Sequence, residues 1–152
     1  MKYFLLLLAL LSFSHKSEAK FDKLFEEKTL RLDYYHCGNA TSEQFFFDEL
    51  IREPHWAGSK INLVDTKYYG THRLEMRTAD TNELIYSRGY STLFDEWQTT
   101  PEAQTTSCCY PESVVMPFPR QKVVLSIFSR NKAGEWLKTF EHPVDPQSYL
   151  IK

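Results

Sequence analysis

The sequence predicts an all-β fold, an antiparallel two-sheet β-sandwich of about seven strands. Three observations point there. Short segments alternate apolar and polar residues with a period of two, turn-forming residues punctuate them, and no stretch sustains a long apolar period of 3.6. At 152 residues with 42% hydrophobic content, the chain is large enough for one domain with its own core.

The first element is not expected to persist. Lys2 precedes an apolar run from Tyr3 to Leu11, and a polar segment ends in Ser17, Glu18 and Ala19, the layout of a secretory signal peptide spanning residues 1–19. A helix needs about 20 apolar residues to cross a bilayer. Ser12, Ser14, His15 and Lys16 interrupt this run, so no membrane span is expected in the mature chain. No cysteine lies near the cleavage point to carry a lipid. The expected product is an exported protein (periplasmic, cell-surface or secreted), with one sandwich domain over residues 20–152.

Phe21 to Lys28 reads as a charged lead-in with a helical turn. Leu30, Leu32 and Tyr34 then alternate with Arg31, Asp33 and Tyr35 in a first strand that Gly38-Asn39 ends. Phe45 to Ile51 is a second strand, closed by Pro54. Trp56 to Ser59 is a loop, Ile61 to Val64 a short apolar piece, and Tyr68-Tyr69 an aromatic pair ahead of Gly70. Arg73 to Thr78 and Leu84 to Ser87 form a hairpin around Asp80-Thr81-Asn82, with Gly89 marking a bulge or strand end. Residues 98–113 lack periodicity and read as a long loop. Val114 to Phe118, among prolines 111, 117 and 119, reads as an edge strand, and Val123 to Phe128 as a central one. Asn131 to Gly134 is a turn, from which Trp136 to Glu141 returns.

Charge narrows the function classes. Loss of Lys2, Lys16 and Glu18 from 18 basic and 20 acidic residues leaves 16 and 19, a formal charge of −3. Phosphate backbones demand a basic surplus, so no nucleic-acid partner is expected. Outside the cytoplasm Cys37, Cys108 and Cys109 are disulfide candidates, Cys37 bridging to one of the adjacent pair and leaving one thiol over. A zinc site built from His36, Cys37, Cys108 and Cys109 is disfavoured, because neighbouring cysteines do not converge tetrahedrally.

Catalytic motifs are missing. A zinc peptidase of the His-Glu-x-x-His type places two imidazoles one helical turn apart beside a glutamate. The five histidines are followed by Lys16, Cys37, Trp56, Arg73 and Pro143, and no convergent set of imidazoles with a carboxylate is read from them. Gly89-Tyr90-Ser91-Thr92-Leu93 lacks the second glycine of a hydrolase elbow and is read with no helix after it. His36 and Cys37 are strand neighbours pointing to opposite faces, which defeats a thiolate pair. Asp95-Glu96 reads as a solvated turn. Asn39-Ala40-Thr41 fits a glycosylation acceptor. No catalytic residue, metal ligand or cofactor is therefore expected. Of the aromatic residues, Tyr68, Tyr69 and Trp97 fall at predicted loops or strand ends, where such side chains can anchor a protein or glycan; burial in the core is the competing role.

Four segments carry a family resemblance: residues 29–41 (TLRLDYYHCGNAT), 58–66 (GSKINLVDT), 86–100 (YSRGYSTLFDEWQTT) and 112–119 (ESVVMPFP). Together they resemble the N-terminal domain of bacterial IgA peptidases, secreted zinc metallopeptidases, over about residues 29–151. The resemblance implies that the zinc site lies in a second, C-terminal domain, so no catalytic residue transfers to this sequence. Cys37 stands where a small hydroxyl residue is expected, and Cys108-Cys109 falls in a loop expected to vary, so a disulfide would be peculiar to this chain. The implied role is a non-catalytic module, either a truncated peptidase or a substrate-positioning domain. Its partner would be a peptidase catalytic domain encoded downstream, or a host protein or glycan; the alternative is a stand-alone binding domain.

Overall fold

Seven antiparallel strands form two sheets in a computed structural model that describes residues 20–152. The signal-peptide segment lies outside the described residues. A helical turn over 20–24 runs straight into β1 (Phe25–Asn39), followed by β2 (Ser42–Glu53), β3 (His72–Thr78), β4 (Leu84–Tyr90), β5 (Cys108–Pro119), β6 (Val123–Arg130) and β7 (Trp136–Val144). One sheet has the order β2-β1-β5 and the other β4-β3-β6-β7. The expected two-sheet sandwich is what the chain adopts.

The period of two does the positioning. Leu30, Leu32 and Tyr34 are buried, while Arg31 and Asp33 between them point out, Arg31 pairing with both Asp33 and Glu53. Facing them across the interior are Leu74 and Met76 of β3 and Leu125 and Ile127 of β6, all fully buried. On β5, Val114, Met116 and Phe118 complete the layer. The β1–β2 hairpin is tied at its tip by the Asn39 side-chain oxygen, which accepts from the amides and hydroxyls of Thr41 and Ser42.

Several sequence expectations are corrected. β5 starts at Cys108, not Val114, because it pairs with β1 all the way to Gly38. The aperiodic loop shrinks accordingly to residues 99–107 around a 3-10 turn (Glu102–Gln104). β5 is nonetheless an edge strand and β6 a central one, as their prolines and alternation predict. Gly89 is the second-last residue of β4, near the strand end expected for it, and a Cβ there would collide with the Tyr69 carbonyl of the crossing loop. A short helix (Leu93–Gln98) does follow Ser91, opened by a reciprocal capping box between Thr92 and Asp95. Glu75, on the face of β3 opposite Leu74 and Met76, is buried all the same, and Arg73 and Arg77 pair with its two carboxylate oxygens.

At the outer edge of β2, the last residues return alongside the strand. The Lys152 amide donates to the Leu50 carbonyl (3.0 Å), and the Arg52 amide to that of Lys152 (2.7 Å), so this edge is partly covered.

Candidate functional site

Apolar residues fill the inward faces until the last turn at one end of the sandwich, where every strand delivers a polar group. β1 brings Tyr34 and His36, β2 Glu43, β3 His72, β4 Tyr90, β5 Glu112, β6 Ser129 and β7 Thr139. The Leu93–Gln98 helix closes this end with Phe94 and Asp95.

His36 and His72 are almost completely shielded, at 0% and 1% exposure. The His36 imidazole spans two carboxylates, with Nδ1 3.2 Å from Glu112 and Nε2 3.1 Å from Glu43. Its ring lies between those of Phe45 (4.1 Å) and Phe94 (4.0 Å), which fix its plane. His72 Nε2 donates to Asp95 (2.9 Å), and Ser129 Oγ sits 3.2 Å from its Nδ1. The two imidazoles meet edge to face at 5.2 Å. One oxygen each from the two outer carboxylates is anchored in turn: Glu112 accepts from the Phe94 amide (3.2 Å), and Asp95 from the Thr92 amide (2.9 Å) and Thr71 hydroxyl (2.6 Å).

Electrostatics follow from these contacts. Burial disfavours the charged imidazole of His36, but the hydrogen bonds to Glu112 and Glu43 outweigh it and raise its pKa. Burial likewise pushes Glu43 and Asp95 up. Contacts with His36 and Ser129 overcome this for Glu43, and His72 and Thr71 do so for Asp95, so both carboxyls end below their ordinary values. Burial raises the phenols of Tyr34 and Tyr90, which hydrogen-bond each other at 3.3 Å. A cleft of about 470 Å³ reaches the cluster from solvent, lined by Glu43, His72, Asp95, Ser129, Thr71 and Gln98 among others. The larger recess, about 610 Å³, lies between β2 and β7 and is apolar, with Phe47 stacked on His142 (4.1 Å).

Residues 20–141 match the family described as the peptidase M64 N-terminus. The chain belongs to this family. It matches none of the curated proteins with which it was compared. The resemblance read from the sequence is thus borne out for the N-terminal domain of M64 peptidases, and the match takes in no catalytic domain. This M64 N-terminal domain is peptidase-associated, and its polar end holds the densest cluster of convergent ionisable groups described above.

The sequence-predicted site residues are scattered differently. Cys37 bonds Cys109, its Cα partner across β1 and β5, leaving Cys108 free. That bridge removes the His36-Cys37-Cys108-Cys109 zinc arrangement. Tyr68 is half-buried, its ring 4.7 Å from the Arg73 guanidinium, which Phe128 and Trp136 also face. Trp97 takes the core role that competed with partner binding: it is 8% exposed, packs on Phe94 and Tyr110, and donates its indole N–H to Glu102. Only Tyr69 of the three aromatics is freely presented, at 78% exposure.

The sequence reading missed His36, His72 and Glu43, whose ligand-capable atoms all lie within 4.8 Å of one another. The expectation that no imidazoles converge beside a carboxylate is therefore corrected. It searched for one helical turn, whereas three strands supply the groups. A signal was present: His36 extends the inward series Leu30, Leu32, Tyr34, and His72 extends Leu74, Met76, so the alternation alone buries both rings. Asp95, expected in a solvated turn, is likewise drawn in by His72.

Proposed function

We propose that this chain is a non-catalytic, exported module that positions a protein substrate for an M64-type zinc peptidase catalytic domain. The observation that carries the reading is the family match, which covers the N-terminal domain alone. The sequence adds that no histidine is followed by glutamate, so the His-Glu-x-x-His ligand arrangement is missing. The Cys37–Cys109 bridge supports export, because disulfides persist in oxidising compartments.

The test has two arms. Purified protein incubated with immunoglobulin A and zinc is expected to leave the substrate intact; chelator-sensitive cleavage overturns the non-catalytic role. Added to a separately expressed M64 catalytic domain, it is expected to co-elute with that domain and lower the KM for a protein substrate. No association and an unchanged KM overturn the positioning role. The second reading, a stand-alone protein- or glycan-binding domain, draws support from the exposure of Tyr69. Under that reading Tyr69→Ala abolishes capture of immunoglobulin or glycan.

A further inference from the structure

We propose that His36, His72 and Glu43 form a binding site for a divalent cation of the zinc class, which ties the two sheets together at the polar end of the sandwich. Two imidazoles and a carboxylate are the donor set that zinc takes with a fourth, exchangeable position. Zinc ligands at about 2.0–2.2 Å in a tetrahedron stand roughly 3.3 Å from one another. Glu43 and His36 Nε2 already stand 3.1 Å apart. No pair of ligand atoms in the trio exceeds 4.8 Å, so closing the widest gap takes about 1.5 Å at most, a small side-chain rotation.

Three further features fit a metal. First, each imidazole has its other nitrogen on a carboxylate: His36 Nδ1 faces Glu112 and His72 Nε2 faces Asp95. Outer carboxylates of this kind orient metal-binding histidines and raise their basicity. With Nε2 of His72 donating to Asp95, Nδ1 keeps the lone pair, on the side of Ser129, which also contacts Glu43. Second, Glu43, Glu112 and Asp95 set three carboxylates around two imidazoles, an acid-rich surround that suits a dication. Arg130 and Lys132, the cations that line the same cleft, are exposed. Third, the cleft gives a route from solvent to Glu43 and His72, and its side is where the fourth ligand, water or a carboxylate of a bound chain, would enter.

The location defines the consequence. His36 and Glu43 belong to the β2-β1-β5 sheet and His72 to the other, so one ion would bridge layers that elsewhere meet mainly through apolar side chains. The inference stands apart from the substrate-positioning role, since uptake is read by stoichiometry and not by cleavage.

Zinc and cobalt(II) are titrated into the purified, metal-stripped protein. One equivalent per chain is expected, with cobalt(II) giving visible bands of four- or five-coordinate intensity. Bound zinc is expected to slow amide exchange at both His36 and His72. Glu43→Gln keeps the side-chain shape, and with His72→Gln it is expected to weaken binding at least 100-fold, while Cys108→Ser and His142→Asn leave it unchanged. If His72→Gln does not fold, Glu43→Gln alone decides, because its side chain lies at the cleft. Absence of stoichiometric uptake overturns the proposal, as does uptake that Glu43→Gln leaves intact. Zinc that binds without slowing exchange on both sheets overturns the bridging role.

Discussion

The middle of the sandwich and its polar end are built on the same inward faces of the same strands, yet they are held by different physics. In the middle, Leu32, Met76, Met116 and Leu125 are fully buried and interact without direction. At the end, His36, Glu43, His72, Asp95 and Glu112 are held by directed contacts of 2.9–3.2 Å, each carboxylate facing an imidazole. The difference teaches that the first region tolerates exchange among similar shapes, whereas the second depends on every partner, since a buried polar group that loses its mate costs more than the bond itself contributes.

That contrast can be broken in order of effect. Met116→Ala, in the middle, is expected to cost about 2–5 kcal/mol in urea unfolding, as core truncations do; a loss below about 1 kcal/mol would show a core able to collapse around the gap. Joint replacement of Cys37 and Cys109 by serine is expected to cost about 2–4 kcal/mol, since the bridge closes a 72-residue separation. At the polar end, Tyr34→Phe is expected to cost about 1–2 kcal/mol by stranding the Tyr90 hydroxyl, and Tyr34→Phe with Tyr90→Phe to recover most of that loss. Additive losses in the double variant would erase the distinction between the regions.

Asp65 is a control outside both regions. Burial pushes its carboxyl up, but the amides of Lys67, Gly89 and Tyr68 outweigh this and lower its pKa. A lowered folded value means that its contribution is present above the unfolded pKa and fades as pH falls through the folded one. Asp65→Asn is expected to cost about 1 kcal/mol at neutral pH and nothing once the medium is acid enough to protonate the native side chain. Equal loss at both pH values would assign the effect to shape and not to charge. Tyr69→Ala, on an exposed ring, is expected to shift stability by less than about 0.5 kcal/mol.

How much was legible follows the same division. Strand faces around Leu30, Leu32, Leu74 and Met76 could be read because burial imposes a local period of two. The polar cluster could not be assembled this way, because His36 and His72 are 36 positions apart and meet only once β1 and β3 belong to facing sheets. Residues 108–113 escaped notice as strand because Pro111 and two cysteines mask the alternation, and pairing with β1 decides it. The Leu93–Gln98 helix is too short to show a period, although Thr92 and Asp95 carry its capping signature. Between partner binding and burial, Trp97 could not be decided locally, because its burial depends on Phe94 and Tyr110, which no local pattern links.

The choice between two adjacent thiols has a geometric consequence for the whole β1–β5 seam. Cys109 projects outward to meet Cys37, while Cys108 packs with Ala40 and Tyr110 against the small Phe94–Trp97 cluster. Were Cys108 joined to Cys37 instead, the strand would slide by one position and its pleat would invert, turning Val114, Met116 and Phe118 toward solvent. The covalent link therefore acts as an alignment pin, admitting only the pairing that keeps these three side chains inside and aims Glu112 at His36.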